Sequence, residues 1–417
     1  TWIIQGPMKQ LLDRIFKRGP RSVVFYQHCY YHHYYLAQAL RRRGWDALMV
    51  SIEDPNGPNA NFYHGEDLNL FASTPEEQKK NIQQFFAMAI KRFRMMHFAG
   101  DGSLSFFPEY YGDPEPQDLM MWRGKGNKIA YTTSGCNSGI AQSSLMRWSA
   151  SNPGGPICCN KCPYQGVEIV CSDKKNLAWA QRAEKFCDVI FADGAPALDL
   201  LKSPKVFRDP ISSCLDPEVW RLDLDIPERH RVRTSADEIL IYHSFGNFHL
   251  RANAERNVKG TPAIFAAIER LKSEGFPVRL IYVTDVPNIE VRFIQAQADI
   301  VVDQLNFGRY GATAKECMML GKPVICYINP NELYPGKEIP SLRELPLISA
   351  TEETVYDKLL ELVLSEERRR SIGAASRRFA MKWLSADACA ERYERVYDSL
   401  MSGTLETNRP IFESQDL

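Results

Sequence analysis

Two stretches hold residue types whose spacing can do chemistry. The first is 299–328, DIVVDQLNFGRYGATAKECMMLGKPVICYI. A β-rich run leads into a loop with Gly308 and Gly311, and a helical pattern starts near Ala312 or Thr313. Glycines let the backbone approach a ligand closely, and the free N–H groups of a helix N-terminus point at an anion. Glu316 lies about one turn into that helix. A carboxylate there can accept two hydroxyls from a sugar. The plainer alternative is a Gly-rich turn followed by a solvated helical Glu. The second stretch is 239–260, ILIYHSFGNFHLRANAERNVKG. A strand pattern ends at His243, a loop with Gly246 follows, and Arg251, Arg256 and Lys259 precede a helix opened by Thr261-Pro262. Paired cations there offset the charge that grows on a departing phosphate-bearing group. The alternative is a solvated basic loop.

The two stretches together resemble the donor-binding signature of the family 4 retaining glycosyltransferases of the GT-B fold. That family carries Glu-x7-Glu with a Gly five residues before the second Glu, then a Gly-Lys-Pro-Val turn. Glu316, Gly311 and Gly321-Lys322-Pro323-Val324 stand at the matching places. The first Glu falls on Gly308, so the carboxylate that helps hold the donor sugar is missing. The resemblance implies that Glu316 holds the nucleotide ribose and that the amides of Ala312 and Thr313 meet the diphosphate. Lys259 matches the catalytic Lys of the family, and its partner is Arg256 or Arg251. Catalysis would be electrostatic and need no divalent metal, with retention of configuration. The match extends from Glu238 to Leu400, where an aromatic-rich segment precedes a last helix ending in Val-Tyr. It covers the first half only in outline.

The elements that must position these residues alternate. Short strands rich in Val and Ile are expected at Ser22–Tyr26, Asp46–Ser51, Lys128–Thr133, Asp188–Phe191, Glu238–His243, Val278–Val283, Asp299–Asp303 and Pro323–Tyr327. Helices are expected at Tyr35–Arg43, Pro75–Met96, Asn176–Lys185, Thr261–Ser273, Thr313–Leu320 and Val355–Leu364. Continuous apolar strands between helices indicate parallel sheets covered on both faces. The pattern runs twice, predicting an α/β chain of two Rossmann-like doubly wound domains facing a cleft. Residues 1–215 would bind the acceptor and 216–384 the nucleotide-sugar. The helix at 385–401 would pack back on the first domain, leaving a tail at 402–417. The first unit resembles the opening of the same fold, though without the usual Gly-Gly pair after its first strand.

Cleft candidates in the first half are His28 and His32 after the first strand, His97, and Ser134 and Asn137 where the family commonly places His and Asp. Cys159-x-x-Cys162 has zinc-ligand spacing, and Cys136 and Cys171 can complete a structural zinc site. The alternative is a set of reduced, partly buried thiols. Lys79–Phe98 is basic and amphipathic, which suits a peripheral membrane contact or, more often, a helix packed on its sheet.

The 417 residues carry 51 Lys plus Arg and 51 Asp plus Glu. Zero net charge argues against a general nucleic-acid coat or a polybasic anchor. Apolar residues at 44% and charged residues at 24% belong to a folded protein, not a disordered one. No apolar run reaches the roughly 20 residues of a membrane span. The charged N-terminal stretch is not a signal peptide, and without an initial Met it reads as part of a longer chain. Eleven scattered cysteines suit a reducing cytoplasm, with contact at the inner face of a membrane as a variant. The expected partners are a nucleotide-diphospho-sugar and a glycan or glycoconjugate acceptor, with no nucleic acid. An epimerase or hydrolase of the same fold, or a non-catalytic sugar-nucleotide-binding scaffold, are the alternatives.

Overall fold

The structure, a computed structural model, describes residues 19–27, 30–57, 60–99, 104–133, 135–136, 139–191, 199–200, 203–207, 214–235, 237–246, 256–284, 286–331 and 340–405. Its first half alternates β1 (Ser22–Tyr26), α1 (His32–Arg42), β2 (Asp46–Ser51), β3 (Leu68–Asn69), α2 (Pro75–Arg92), β4 (Met95–Ala99), α3 (Gln117–Gly124), β5 (Lys128–Thr132), α4 (Gln142–Ala150), α5 (Asp173–Phe186), β6 (Val189–Phe191) and β7 (Val206–Phe207). The strands form one parallel sheet of order β3-β2-β1-β4-β5-β6-β7. Val23 and Phe25 point into one core and Val24 and Tyr26 into another. That alternation explains the unbroken apolar run, since helices cover both faces.

The second half contains β8 (Ile239–Ser244), α6 (Thr261–Ser273), β9 (Val278–Val283), α7 (Asn288–Gln295), β10 (Ile300–Val302), α8 (Ala312–Met319), β11 (Val324–Ile325), α9 (Pro340–Arg343), α10 (Val355–Val363), α11 (Glu366–Trp383) and α12 (Ala386–Ser402). Its sheet is parallel, in the order β11-β10-β8-β9. α12 docks on the first sheet's helix layer. Glu394 accepts from Arg21, Arg43 and the Trp45 indole, and Asp387 pairs with Arg42.

The expected helix Pro75–Met96 is shorter than its amphipathic pattern. Thr74 caps it and Pro75 opens it, but it ends at Arg92 and Met95–Ala99 becomes a strand. β4 lies between β1 and β5, so Met95, Met96 and Phe98 are core residues of the sheet. Lys79–Phe98 is therefore not one membrane-facing helix. A buried strand five residues long has no period of its own, and the preceding helix lent it one.

Both sheets have a switch point, where neighbouring strands send their connections to opposite sides. It falls between β1 and β4 in the first sheet and between β8 and β10 in the second. Crevices form beyond the C-terminal strand ends at such points, and ligands bind there.

Candidate functional site

A cavity of about 160 Å³ lies at these strand ends, between the two halves. The second domain contributes Lys259, Glu316, Gly246 and the start of α8, namely Gly311, Ala312 and Thr313. The first contributes Tyr30, Asn61 and Phe62. The halves meet closely here. The Asn288 amide donates to the Asn61 carbonyl at 2.8 Å. A Cβ on Gly246 would stand 2.6 Å from the Phe62 ring, so only glycine lets the loop after β8 pass that ring.

Glu316 is 2% exposed and fully engaged. It accepts from Tyr31 Oη at 2.7 Å, Asn288 Nδ2 at 2.9 Å and Gln295 Nε2 at 2.8 Å. Burial raises its carboxyl above the ordinary range, and these three hydrogen bonds pull against that rise. The Tyr31 bond crosses the cleft. Asn288 and Gln295 turn their amide nitrogens to the carboxylate, which leaves their carbonyl oxygens buried without a partner in the protein. Buried acceptors of that kind call for a donor, such as a sugar hydroxyl or a base N–H.

Lys259 Nζ donates to Asp303 Oδ1 at 2.8 Å, and Asp303 Oδ2 accepts the Gly311 amide at 3.0 Å. Asp303 is wholly buried. Burial pushes its carboxyl up, but the Lys259 charge and the two hydrogen bonds outweigh that and hold it below its usual range. Asp303 thus fixes both the ammonium and the entry to α8. Gly311 precedes the helix with no side-chain cap, so the first amides of α8 face the cavity. An anion placed there meets an ammonium and helix-end N–H groups together.

The other expected residues are distributed differently. His243 lies behind the cavity, between the Val302 carbonyl at 2.9 Å and Thr261 Oγ1 at 2.9 Å. Burial and the nearby Lys259 charge lower its pKa to about 4, so it is a neutral brace for β8, β10 and α6. Gly308 does not line the cavity. Its φ is +92°, and a Cβ would stand 2.8 Å from the Trp148 ring. A side chain there would be strained by the backbone and would have to displace the Trp148 ring. Arg256 does not line the cavity either. Its guanidinium donates to the Cys162 and Gln165 carbonyls of the first domain, both at 3.2 Å.

His97 is a core residue, not a cleft residue. It is wholly buried on β4, bonded to Tyr397 Oη at 2.5 Å and Thr132 Oγ1 at 2.7 Å. Burial and then His33 depress its pKa well below the ordinary value. His32 is also buried, with Nδ1 3.4 Å from the Cys214 carbonyl, and packs α1 rather than facing the cavity. His28, Ser134, Asn137 and Arg251 lie outside the described residues. Cys136, Cys159, Cys162 and Cys171 line a second, smaller cavity together with Cys158.

Tyr30, expected with its loop to face the cleft, does line the cavity, whereas sequence reasoning missed Tyr31, Phe62, Asn288, Gln295 and Asp303. One signal was backbone strain, invisible in one dimension. Gln27 and Tyr30 have φ of +67° and +54°, rare for residues other than glycine, at the end of β1 where the cavity opens. Asn288 and Gln295 are seven apart, a helical spacing that puts both on the face of α7 turned to Glu316.

No protein-family model and no curated protein matches the chain. Solved structures do. Sucrose-phosphate synthase from Thermosynechococcus elongatus aligns over 92% of this chain and 100% of its own, with 13% identity and a TM-score of 0.54. The catalytic domain of Arabidopsis thaliana starch synthase IV, bound to ADP and acarbose, aligns over 92% and 99%, at 12% identity and a TM-score of 0.52. Anabaena HepE in complex with UDP and glucose aligns over 91% and 100%, at 11% identity and a TM-score of 0.50. At this identity the likeness shows the fold. The chain has the GT-B architecture, two Rossmann-like domains facing a cleft.

Proposed function

We propose that the chain is a glycosyltransferase that takes a sugar from a nucleotide-diphospho-sugar and passes it to a glycan or other glycoconjugate acceptor. One observation carries the reading. Lys259, Glu316 and the open end of α8 line one interdomain cavity at the switch point of the second sheet. In this reading Glu316 receives the ribose hydroxyls, with the unpaired carbonyls of Asn288 and Gln295 beside it. The diphosphate lies against the amides of Ala312 and Thr313. Lys259, held by Asp303, offsets the charge that develops as the sugar–phosphate bond breaks. That stabilisation uses protein groups alone, so no divalent metal is assigned a role. Retention and family 4 membership rest on the resemblance of the two motifs, and a cytoplasmic setting on the scattered cysteines. Tyr30 and Phe62 provide flat apolar surface for a base or a sugar ring. The UDP of HepE and the ADP of starch synthase suggest which nucleotides to try first.

The test is a melting-temperature panel with UDP, GDP, ADP, dTDP and CMP, followed by turnover of the matching nucleotide-sugars. A ligand that binds only the folded chain raises its melting temperature by mass action. One diphosphate should stabilise wild type, and Lys259→Ala and Glu316→Ala should abolish the effect. Stabilisation that persists in both variants would place the nucleotide elsewhere. Binding without turnover of any nucleotide-sugar, over a range of acceptors, would favour a non-catalytic scaffold.

A further inference from the structure

Residues 151–172 join α4 to α5 as a long connection whose only regular element is one short 3-10 turn at Cys158–Lys161. Connections of this length without structure of their own are uncommon in ordered domains and tend to serve a function. This one adds little to the hydrophobic core of the first domain, only Cys158 and Cys159. They are its only buried residues. Its larger apolar side chains face outward, Ile169 being 86% exposed. Yet it spans the two domains. Lys161 pairs with Glu352 at 2.6 Å, Asn152 donates to Tyr327 Oη at 2.8 Å, and the Cys162 and Gln165 carbonyls hold Arg256.

Cysteines from three segments meet at the base of this connection. Cys136 comes from the loop after β5, Cys159 and Cys162 from the turn, and Cys171 from the approach to α5. All line a cavity of about 20 Å³, and none is disulfide-bonded. The Cys162 amide donates to the Cys159 carbonyl at 3.1 Å, which closes the two-residue spacer into a tight turn. The Gln142 and Asn176 side-chain amides each donate to Cys171 Sγ at 3.4 Å. Amide donors of this kind stabilise a thiolate and orient it.

We propose that Cys136, Cys159, Cys162 and Cys171 bind one zinc ion as four thiolates, and that this ion is the staple of the 151–172 connection. Binding releases four thiol protons to solvent and leaves a net charge of −2 on the centre. Lys161 and Arg256 stand in the same segment and against it. Among the described residues no group of three or more His, Cys, Asp or Glu stands in place to hold a metal ion. Binding in this proposal therefore requires the four thiols to move inward on the cavity. The centre is structural: four protein ligands leave no open position for a substrate. It stands independently of the transferase reading, and its consequence for that reading is the hold on Arg256, three residues before Lys259.

The experiment is elemental analysis of the full chain expressed with added zinc and purified without chelator. About one zinc per chain is expected, and cobalt(II) exchange should give the thiolate-to-metal charge-transfer bands of a tetrahedral sulfur site. Cys162→Ser and Cys171→Ser should each lower the zinc content at least about fivefold, whereas Cys187→Ser keeps it. Should the ligand variants fail to fold, native mass spectrometry of wild type before and after a chelator reads the same ion. Less than about 0.1 zinc per chain in wild type overturns the proposal. So does a disulfide among these cysteines, or cobalt bands that survive Cys162→Ser.

Discussion

Glu316 and Asp303 are buried carboxylates with opposite biases. Burial raises Glu316, whereas the Lys259 charge and its hydrogen bonds hold Asp303 low against burial. In the proposed function, ribose recognition by Glu316 needs the ionised form. Nucleotide affinity should therefore fall on acidification at a pH above the ordinary carboxyl value of 4.5. Glu316→Gln should bind roughly 10- to 100-fold more weakly at neutral pH and lose that acid limb, because it gives up charge-assisted bonds. Titration calorimetry at several pH values reads both. Asp303 acts through Lys259 and Gly311. Asp303→Asn strands a buried ammonium without its counter-ion, which should lower unfolding free energy by about 3–5 kcal/mol. Adding Lys259→Met should recover most of that loss, and denaturant titration of the single and double variants decides it.

At the scale of elements, α1 and α8 are tied across the cleft. Tyr31, at the start of α1, donates to Glu316 of α8, and burial and then Glu316 raise the Tyr31 hydroxyl pKa well above its ordinary value. The phenol is therefore a donor at every working pH. A ribose hydroxyl arriving at Glu316 competes with it. Tyr31→Phe should lower the melting temperature of the unliganded protein and raise nucleotide affinity about 3- to 10-fold, since one competing bond is gone. A fall in affinity would instead make Tyr31 part of the nucleotide site. A similar economy is seen at α4. Trp148 fills the space beside Gly308, its indole donates to the Asn331 carbonyl, and its own carbonyl accepts from Asn329. The ring that closes the domains there also leaves no room for a side chain at position 308 without a shift.

For the whole molecule, stability should depend on acid through two wholly buried histidines. His243 is lowered to about 4 and His97 well below 6.5, both chiefly by burial. A depressed histidine is neutral in the fold and takes up a proton on unfolding. Its contribution is complete above the unfolded value of about 6.5 and is lost as pH falls towards the folded value. Unfolding free energy should be flat from about pH 7 to 8 and decline steadily between about 6.5 and 4. His243→Asn should shallow that slope, which denaturant melts across this range would measure. The two positions also join the layers of the molecule. His97 reaches Tyr397 on α12, and His243 joins β8 to β10 and α6.

The amino-acid sequence by itself determined the four strands of the second sheet and the helices α6, α8, α10 and α12, because continuous Val/Ile runs and helical patterns are local properties, but it did not show α7. The resemblance of its two motifs placed Lys259, Gly311 and Glu316 in one neighbourhood, and the structure brings them together because β8 and β10, which they follow, are neighbours in the parallel sheet. The sequence misjudged β4, where a short buried strand borrowed the period of its helix, and His97, whose imidazole is silent about burial. Only the tertiary structure decided that Asp303 holds the lysine, that Tyr31 and Phe62 cross from the other domain, and that Arg256 turns to the cysteine loop. Those contacts join residues tens to hundreds of positions apart. No local pattern encodes them, because their distance is set by how two finished domains meet.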